Sequence, residues 1–309
     1  MRFSKFEEIF NIAQSSGIEY KVRLVRNLLY GEYNSVYIGE GLEFAKFEEF
    51  GPDSDPRQID IVASLKSDSL LVARERERRE ARLLVVCDVS PSMMLREKPE
   101  IALRGIATLL FSALDQHIRT GLMLVGSNER IEVRPGLGNK QLARVRDALA
   151  SLYCSDREPL SLTSRPREER FKLSGWEHIL TQDSYIAFFS DFLGSDRDYY
   201  IPAADEYNGR YRIVPVVVQD DLEHTFPRDL PRVGSSIEMV DPESEEISSV
   251  LINRKTGIEL ANAHENRFEQ LEKLFEEKEL PFAHLNNLDM SGIYSAMQEV
   301  FNAVHALRR

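Results

Sequence analysis

The stretch LLVVCDVSPSMM, residues 83–94, decides the fold because it joins a continuous apolar run to a polar turn. The apolar run has the length of one strand and is rich in Val and Leu, which is typical of a parallel strand covered on both faces. Directly after it, Asp88, Ser90 and Ser92 place three oxygen-bearing side chains at alternate positions. The stretch therefore predicts a buried strand that ends in a polar loop.

Downstream of this loop, amphipathic and apolar segments alternate along the chain. Apolar residues at three- and four-residue steps predict a helix that begins near Pro99 and ends near Thr120 and Gly121. Further strands are predicted at 121–126 and 128–134 (a hairpin), 184–191, 211–218 and 281–285, with helices around 142–152, 268–275 and 293–304. This alternation predicts an α/β fold with a doubly wound, mostly parallel, Rossmann-like sheet and helices on both faces.

The first 80 residues have a different pattern. Short β-leaning segments are separated by Gly, Pro and Asp, and one helix is predicted from Lys5 to Gln14. We therefore expect residues 1–80 to form an N-terminal extension packed on a main domain of residues 81–309.

Composition limits the classes of partner and the compartment. The chain carries 51 Asp and Glu against 39 Lys and Arg, a net charge of -12, which disfavours nucleic acid and anionic membranes as partners. Cys87 and Cys154 form neither a Cys-x-x-Cys site nor a disulfide framework. Because no signal peptide or membrane span is visible either, we expect a cytoplasmic protein.

Polar residues at two predicted strand ends point to a metal site. In an open parallel sheet, ligands collect outside the carboxyl ends of the strands. Asp88 and its two serines follow one strand, and Asp191 ends another. Carboxylate and hydroxyl oxygens suit a hard cation such as Mg²⁺, with Mn²⁺ or Ca²⁺ as alternatives. Thr163 is the best candidate for a further hydroxyl ligand, and Thr181 is a weaker one.

The same residues also have structural interpretations that remain open. Short polar side chains cap helices without binding a ligand, and an Asp at the end of a strand often closes a turn. A metal site requires Asp191 to lie at the same sheet edge as Asp88. A salt bridge that fills the place of the cation would contradict the metal-dependent adhesive interpretation.

The quoted loop, together with FFSDF at 188–192, resembles the metal-ion-dependent adhesion site of von Willebrand factor A-like domains. In that family an Asp and two Ser from one loop, a Thr from a second and an Asp from a third surround one divalent cation. The resemblance implies that Asp88, Ser90, Ser92 and Asp191 are ligands by motif, whereas Thr163 matches by approximate position. It also implies that an acidic side chain of a protein partner completes the cation's shell.

Upstream, residues 39–64 are similar to a bacterial branch termed domain of unknown function family 58. Its Gly-x-Gly-x-Glu-Phe and Arg-x-Ile-Asp segments match Gly39, Gly41, Glu43, Phe44, Arg57, Ile59 and Asp60. Ile61 stands where that branch usually has Trp. Members are commonly encoded near MoxR-type AAA+ ATPases, so the resemblance implies a partner or adaptor of such an ATPase in a chaperone or assembly system. The glycines alternatively serve turns, and Arg57 alternatively forms an internal ion pair.

Two other classes of function compete with metal-dependent protein binding. A Mg²⁺-dependent phosphotransferase of the haloacid dehalogenase type also uses an Asp at a strand end, but Ser90 stands where its second Asp is expected. A scaffold whose metal loop is inactive is the third possibility. A serine hydrolase and a P-loop ATPase are disfavoured because neither Gly-x-Ser-x-Gly nor Gly-x-x-x-x-Gly-Lys occurs.

Overall fold

A computed structural model describes residues 3–15, 43–51, 59–67, 69–76, 82–115, 117–126, 130–154, 173, 175–181, 184–193, 197–230, 234–240, 247–287 and 289–306. Two compact units divide the chain. The smaller is Tyr33–Glu80, and the larger combines Met1–Glu32 with Ala81–Arg309. Each unit is described by itself.

Ten strands and eight helices occur in the described residues. The strands are β1 (Glu43–Glu49), β2 (Leu71–Arg76), β3 (Arg82–Asp88), β4 (Arg119–Val125), β5 (Arg130–Gly136), β6 (Tyr185–Ser190), β7 (Arg212–Val218), β8 (Ser235–Val240), β9 (Ile247–Ile252) and β10 (Ala283–Leu285). The helices are α1 (Phe3–Ser15), α2 (Ile61–Ser64), α3 (Lys98–Asp115), α4 (Gly138–Tyr153), α5 (Arg197–Asn208), α6 (Asp221–His224), α7 (Arg254–Glu277) and α8 (Met290–Ala306). A 3₁₀ turn spans Ser92–Met94.

A six-stranded sheet in the order β10-β7-β6-β3-β4-β5 organises the larger unit. All neighbouring strands run parallel except β5, which pairs antiparallel with β4 at one edge. The predicted mostly parallel, Rossmann-like α/β fold is therefore confirmed, as is the predicted β4–β5 hairpin.

Both faces of the sheet are covered, as the uninterrupted apolar run of β3 predicts. Leu83, Val85 and Cys87 point into a core formed with α1, α3, α4 and α8. The alternate residues Leu84 and Val86 join a second core that includes residues of α5 and α7. The sheet is thus fixed from both sides, and its strand ends are rigid positions for side chains.

Helix α3 ends earlier than the sequence predicts. His117 takes a left-handed conformation with φ 58°, and the Ile118 amide donates to the carbonyl of Ala113, closing the helix after Asp115. Thr120 and Gly121 consequently lie in β4. The prediction of a helix end at Thr120 and Gly121 was wrong because a left-handed His, not a Gly, terminates the helix.

In the smaller unit, β1 and β2 form an antiparallel pair. Asp60 caps α2, with its Oδ1 accepting from the Ala63 amide at 2.9 Å. Gly39, Gly41 and Arg57 lie outside the described residues.

Helix α1 confirms the helix predicted from Lys5 to Gln14, and it belongs to the larger unit. Phe10 meets Phe111 of α3 edge-on, with ring centroids 6.0 Å apart. Where the extension ends and the main domain begins stays a prediction. Among the helices described above, none combines the length and apolar composition that crossing a bilayer requires.

Candidate metal centre

The candidate site lies where the direction of strand addition reverses. From β3 the chain continues through α3 to β4 on one side, and it later returns to β6 on the other side of β3. Cys87 is aligned with Phe189 in the parallel register, so Asp88 and Asp191 follow at the same edge of the sheet. In doubly wound sheets this crevice between carboxyl ends is the usual ligand position.

Asp88 is held in one orientation by two donors. It is only 2% exposed, its Oδ1 accepts from the Ser90 amide at 2.8 Å, and its Oδ2 accepts from the Ser190 hydroxyl at 2.9 Å. A buried carboxylate needs such donors because desolvation penalises its charge. Ser190, which the sequence analysis did not single out, joins the end of β6 to that of β3.

The two serines of the motif lie side by side. The hydroxyl oxygens of Ser90 and Ser92 are 3.2 Å apart, a hydrogen-bond distance. Ser92 begins the 3₁₀ turn, and Met93 within that turn is buried. The turn is therefore anchored to the core, and it brings both hydroxyls together at the strand end.

Asp191 occupies the neighbouring strand end. It is 2% exposed, and its Oδ1 accepts from the Leu193 amide at 3.1 Å. Phe192 between them has φ 49°, a left-handed conformation that is uncommon for a bulky residue. Its ring packs edge-on against Phe275, which stabilises this turn.

Lys98 enters the same crevice and was missed by the sequence analysis. Its Nζ lies 2.8 Å from Asp191 Oδ2 and 2.6 Å from Glu223 Oε1, and its side chain is 1% exposed. Burial alone would lower the pKa of Lys98, but the charges of Asp191 and Glu223 outweigh it and raise that pKa. The ammonium therefore stays protonated and neutralises part of the site.

One signal in the sequence marks Lys98. It is the first residue of α3, where the positive end of the helix dipole disfavours a cation. A Lys at that position ahead of an apolar helix therefore indicates an acidic partner from elsewhere in the fold.

A second ion pair lies beside the first. Asp220 is 1% exposed and caps α6, and its Oδ2 lies 2.5 Å from Arg96 Nε. Burial raises the pKa of Glu223, with Lys98 acting in the opposite direction. Among the described residues of the crevice, four carboxylates face two cations, which leaves two negative charges in excess. The carboxylates are those of Asp88, Asp191, Asp220 and Glu223, and the cations are Arg96 and Lys98.

The two threonines that the sequence suggests as further ligands, Thr163 and Thr181, differ in what the structure says of them. Thr163 lies outside the described residues. Thr181 precedes the amino end of β6, where its hydroxyl lies 3.2 Å from that of Ser184. At roughly 3.3 Å per strand residue it is on the order of 20 Å from the carboxyl end of β6, so the structure excludes Thr181 as a ligand beside Asp191.

The remaining donors fit a hard cation in their chemistry. Asp88, Ser90, Ser92 and Asp191 offer only oxygen atoms, which Mg²⁺ and Ca²⁺ prefer. Lys98 already binds one of these, Asp191 Oδ2, so a salt bridge of the kind that argues against a metal site is present at this carboxylate. No cluster of three or more His, Cys, Asp or Glu side chains suited to a metal occurs in the described part of the chain.

The thiol beneath the site is not reactive. Burial raises the pKa of Cys87 to about 12, and its Sγ lies 3.8 Å from the hydroxyl of the buried Tyr153. A protonated, enclosed thiol is a poor nucleophile and metal ligand. Cys87 therefore acts as a packing residue below Asp88.

These features define an α/β protein with a doubly wound sheet and an acidic crevice at its switch point. The family model described as "Protein of unknown function DUF58" matches residues 48–268, more than half of the chain. The chain belongs to this family. No curated protein matches the chain.

Several solved structures have weak overall similarity to the chain. An aerotolerance-related membrane protein from Bacteroides fragilis NCTC 9343 is 12% identical, with 72% of this chain and 98% of that chain covered and a TM-score of 0.38. BatB from Bacteroides thetaiotaomicron is 10% identical, with 71% and 98% covered and a TM-score of 0.38. The pilus adhesin SpaC from Lactobacillus rhamnosus GG is 10% identical, with 89% and 37% covered and a TM-score of 0.40. All three TM-scores are below 0.5.

Proposed function

We propose that this protein is a metal-ion-dependent protein-binding module. The observation that carries the proposal is the convergence of Asp88 and Asp191 at the switch point, where Ser190 donates to Asp88 and the Ser90 and Ser92 hydroxyls lie 3.2 Å apart. A divalent cation bound by Asp88, Ser90, Ser92 and Asp191 would supply a positive charge with a position open to an outside ligand. Thr163 remains a proposed fifth ligand.

The charge of the crevice explains why the partner would need the cation. With two negative charges in excess, the crevice repels an acidic side chain and attracts a dication. An Asp or Glu of the partner therefore gains an attractive contact only when the cation is present. Asp88 and the two serines set the position of that contact, and the buried turn at Met93 keeps them in place.

The ion pair of Lys98 favours a second candidate, a scaffold with an inactive metal loop. An ammonium already bound to Asp191 Oδ2 neutralises that carboxylate without a metal. In this alternative the crevice is a structural salt-bridge network, and Asp88 only closes the loop after β3. For the phosphotransferase alternative, Ser90 still stands where a second Asp is expected.

The family resemblance adds a proposed partner and a proposed compartment. The chain belongs to the DUF58 family, and from the resemblance given in the sequence analysis we propose a role as partner or adaptor of a MoxR-type AAA+ ATPase in a cytoplasmic chaperone or assembly system. Both cysteines are free thiols, which suits a reducing compartment.

Calorimetric titration with Mg²⁺ and Mn²⁺ tests the metal claim. Asp88→Ala should abolish the binding heat, while Asp147→Ala, which removes an exposed carboxylate of α4, should leave it unchanged. Circular dichroism must show both variants folded. Equal heats for the wild type and Asp88→Ala would refute metal binding at this crevice and leave the scaffold.

Affinity capture from the native cell tests the partner. The wild type is used as bait in Mg²⁺ and again in EDTA, and Asp88→Ala is used in Mg²⁺. A MoxR-type ATPase retained only by the wild type in Mg²⁺ supports the proposal. An ATPase retained equally in all three arms would show that binding does not need the metal.

A further inference from the structure

We propose that a groove between α7 and α8 is a second docking site, for a peptide segment of a partner protein that carries a large apolar side chain flanked by Arg or Lys. The groove has a volume of about 400 Å³. One wall is formed by the carboxyl end of α7 and the segment up to Phe282 that follows it, and the opposite wall is formed by α8. It shares no lining residue with the strand-end crevice.

The floor of the groove is apolar and formed by a helix end. The Leu280 amide donates to the Phe275 carbonyl at 2.9 Å, which closes α7 and brings the two side chains together. Both are buried, and so is Val300 of α8. Pro281 and Phe282 also line the groove and are only partly buried, so an apolar side chain in the groove would pack against them and leave water.

The rim of the groove is acidic on both walls. Glu276 and Glu279 stand on the α7 side, and Glu299 stands on the α8 side. All three are exposed, and none of their carboxylates has an ion-pair partner among the described residues. The neighbouring cation Lys278 is bound instead to Asp205, at 2.6 Å.

The local conformation makes this arrangement unfavourable for the protein alone. Glu276 lies in the last turn of α7, where the negative end of the helix dipole repels a carboxylate. Glu279 has φ 52°, a left-handed position that Gly would adopt more easily. A cationic ligand would relieve the electrostatic repulsion at Glu276.

The distribution of charge selects a peptide as the occupant. Three carboxylates on two opposite walls attract more than one positive charge, and a ligand with a single amine contacts only some of them. A segment with basic residues on both sides of an apolar anchor provides charges in two directions. Anionic lipid and nucleic acid are disfavoured by the same three carboxylates.

Fluorescence anisotropy in EDTA tests this site independently of the metal crevice. The probe is a labelled six-residue peptide with a central Leu-Phe pair and two arginines on each side. One control peptide replaces Leu-Phe with Ser-Gly, and another replaces the arginines with Gln. We expect only the probe, which has both the Leu-Phe pair and the arginines, to bind. Its affinity should fall as the salt concentration is raised.

Two variants locate the binding. The triple change Glu276→Gln, Glu279→Gln and Glu299→Gln should weaken binding by about tenfold or more. Ala303→Trp, at an exposed position of the α8 wall, should do the same by filling the groove. A matched triple of exposed acids outside the groove, Asp147→Asn, Asp229→Asn and Glu269→Gln, removes the same charge and should change the affinity by less than about twofold.

Three results would overturn the proposal. These are no binding of the basic-apolar peptide, equal binding of the arginine-free peptide, and equal weakening by the matched triple, which indicates non-specific charge attraction. Sedimentation completes the test: a wild-type dimer that Ala303→Trp dissociates would assign the groove to a second copy and also overturn it. If Ala303→Trp does not fold, the glutamate triple alone decides.

Discussion

Three carboxylates of the strand-end crevice, those of Asp191, Asp220 and Glu223, are paired with cations, whereas those on the rim of the α7–α8 groove have no ion-pair partner among the described residues. In the crevice, Lys98 bridges Asp191 and Glu223. On the rim, Glu276 and Glu299 are exposed to solvent. The difference follows from burial, because a buried carboxylate must be compensated within the fold while water compensates an exposed one. Removing the cation of the crevice should therefore destabilise the protein, whereas removing the carboxylates of the rim should stabilise it.

The largest expected effect is the loss of the buried ammonium. Lys98→Met keeps most of the side-chain volume but leaves Asp191 and Glu223 buried without their cation, which should lower the free energy of unfolding by about 3–5 kcal/mol. Urea denaturation without divalent cation measures it. Lys255→Met, at a side chain 84% exposed, should change stability by less than about 0.5 kcal/mol. Similar losses in both variants would show that the crevice is not a compensated site.

The second prediction concerns the buried imidazole of His284, whose pKa shift has no opposite charge among its causes. Burial, assisted by His224, lowers its pKa from 6.5 to about 4, so the unfolded chain binds the proton more readily. Stability should therefore fall as the pH decreases from 6.5 to 4, by at most about 3 kcal/mol. Thermal melts across this range should show a smaller loss for His284→Gln than for the wild type. The exposed His178→Gln is the control, and an unchanged pH profile for His284→Gln would contradict the account.

A smaller effect is expected at the hydroxyl that links the two strand ends. Ser190→Ala removes the donor to Asp88 Oδ2 and the acceptor for the Phe192 amide, and it should destabilise by about 1–2 kcal/mol. Urea denaturation measures the change. Ser151→Ala on the exposed face of α4 should have almost no effect. Equal stabilities of the two variants would mean that Ser190 does not orient Asp88.

The smallest effect has the opposite sign. The triple change of Glu276, Glu279 and Glu299 to Gln removes repulsion at the end of α7, and it should stabilise the protein by about 0.5–1 kcal/mol at low salt. The gain should decrease in 0.5 M NaCl because salt screens exposed charges. Thermal melts at two salt concentrations measure both. A loss of stability in the triple variant would indicate that the rim carboxylates have partners after all.

Local patterns predicted the sheet well and the site only in part. The apolar runs of β3, β6 and β7 identified central strands because each is buried on both faces. The hairpin of β8 and β9 was not predicted, since its mixed polar residues lack a continuous apolar run. The helix end at His117 was missed because nothing in the sequence marks a left-handed His.

The acidic site shows the same division between local and distant information. Asp88, Ser90 and Ser92 are close in sequence, so their spacing predicts a common loop. Lys98 meets Asp191 across 93 positions and Glu223 across 125, pairings that only the strand order creates. Local patterns in a single sequence do not reveal which distant acid forms an ion pair with a cation at the start of a helix.

The most direct measurement is a crystal structure of the wild type grown with Mn²⁺, with anomalous diffraction data collected to locate the ion. We expect an anomalous peak within about 2.6 Å of oxygens of the Asp88–Ser92 loop and close to Asp191. Crystals without such a peak, in which Lys98 still binds Asp191, would contradict the metal-dependent function and establish the crevice as a salt-bridge network.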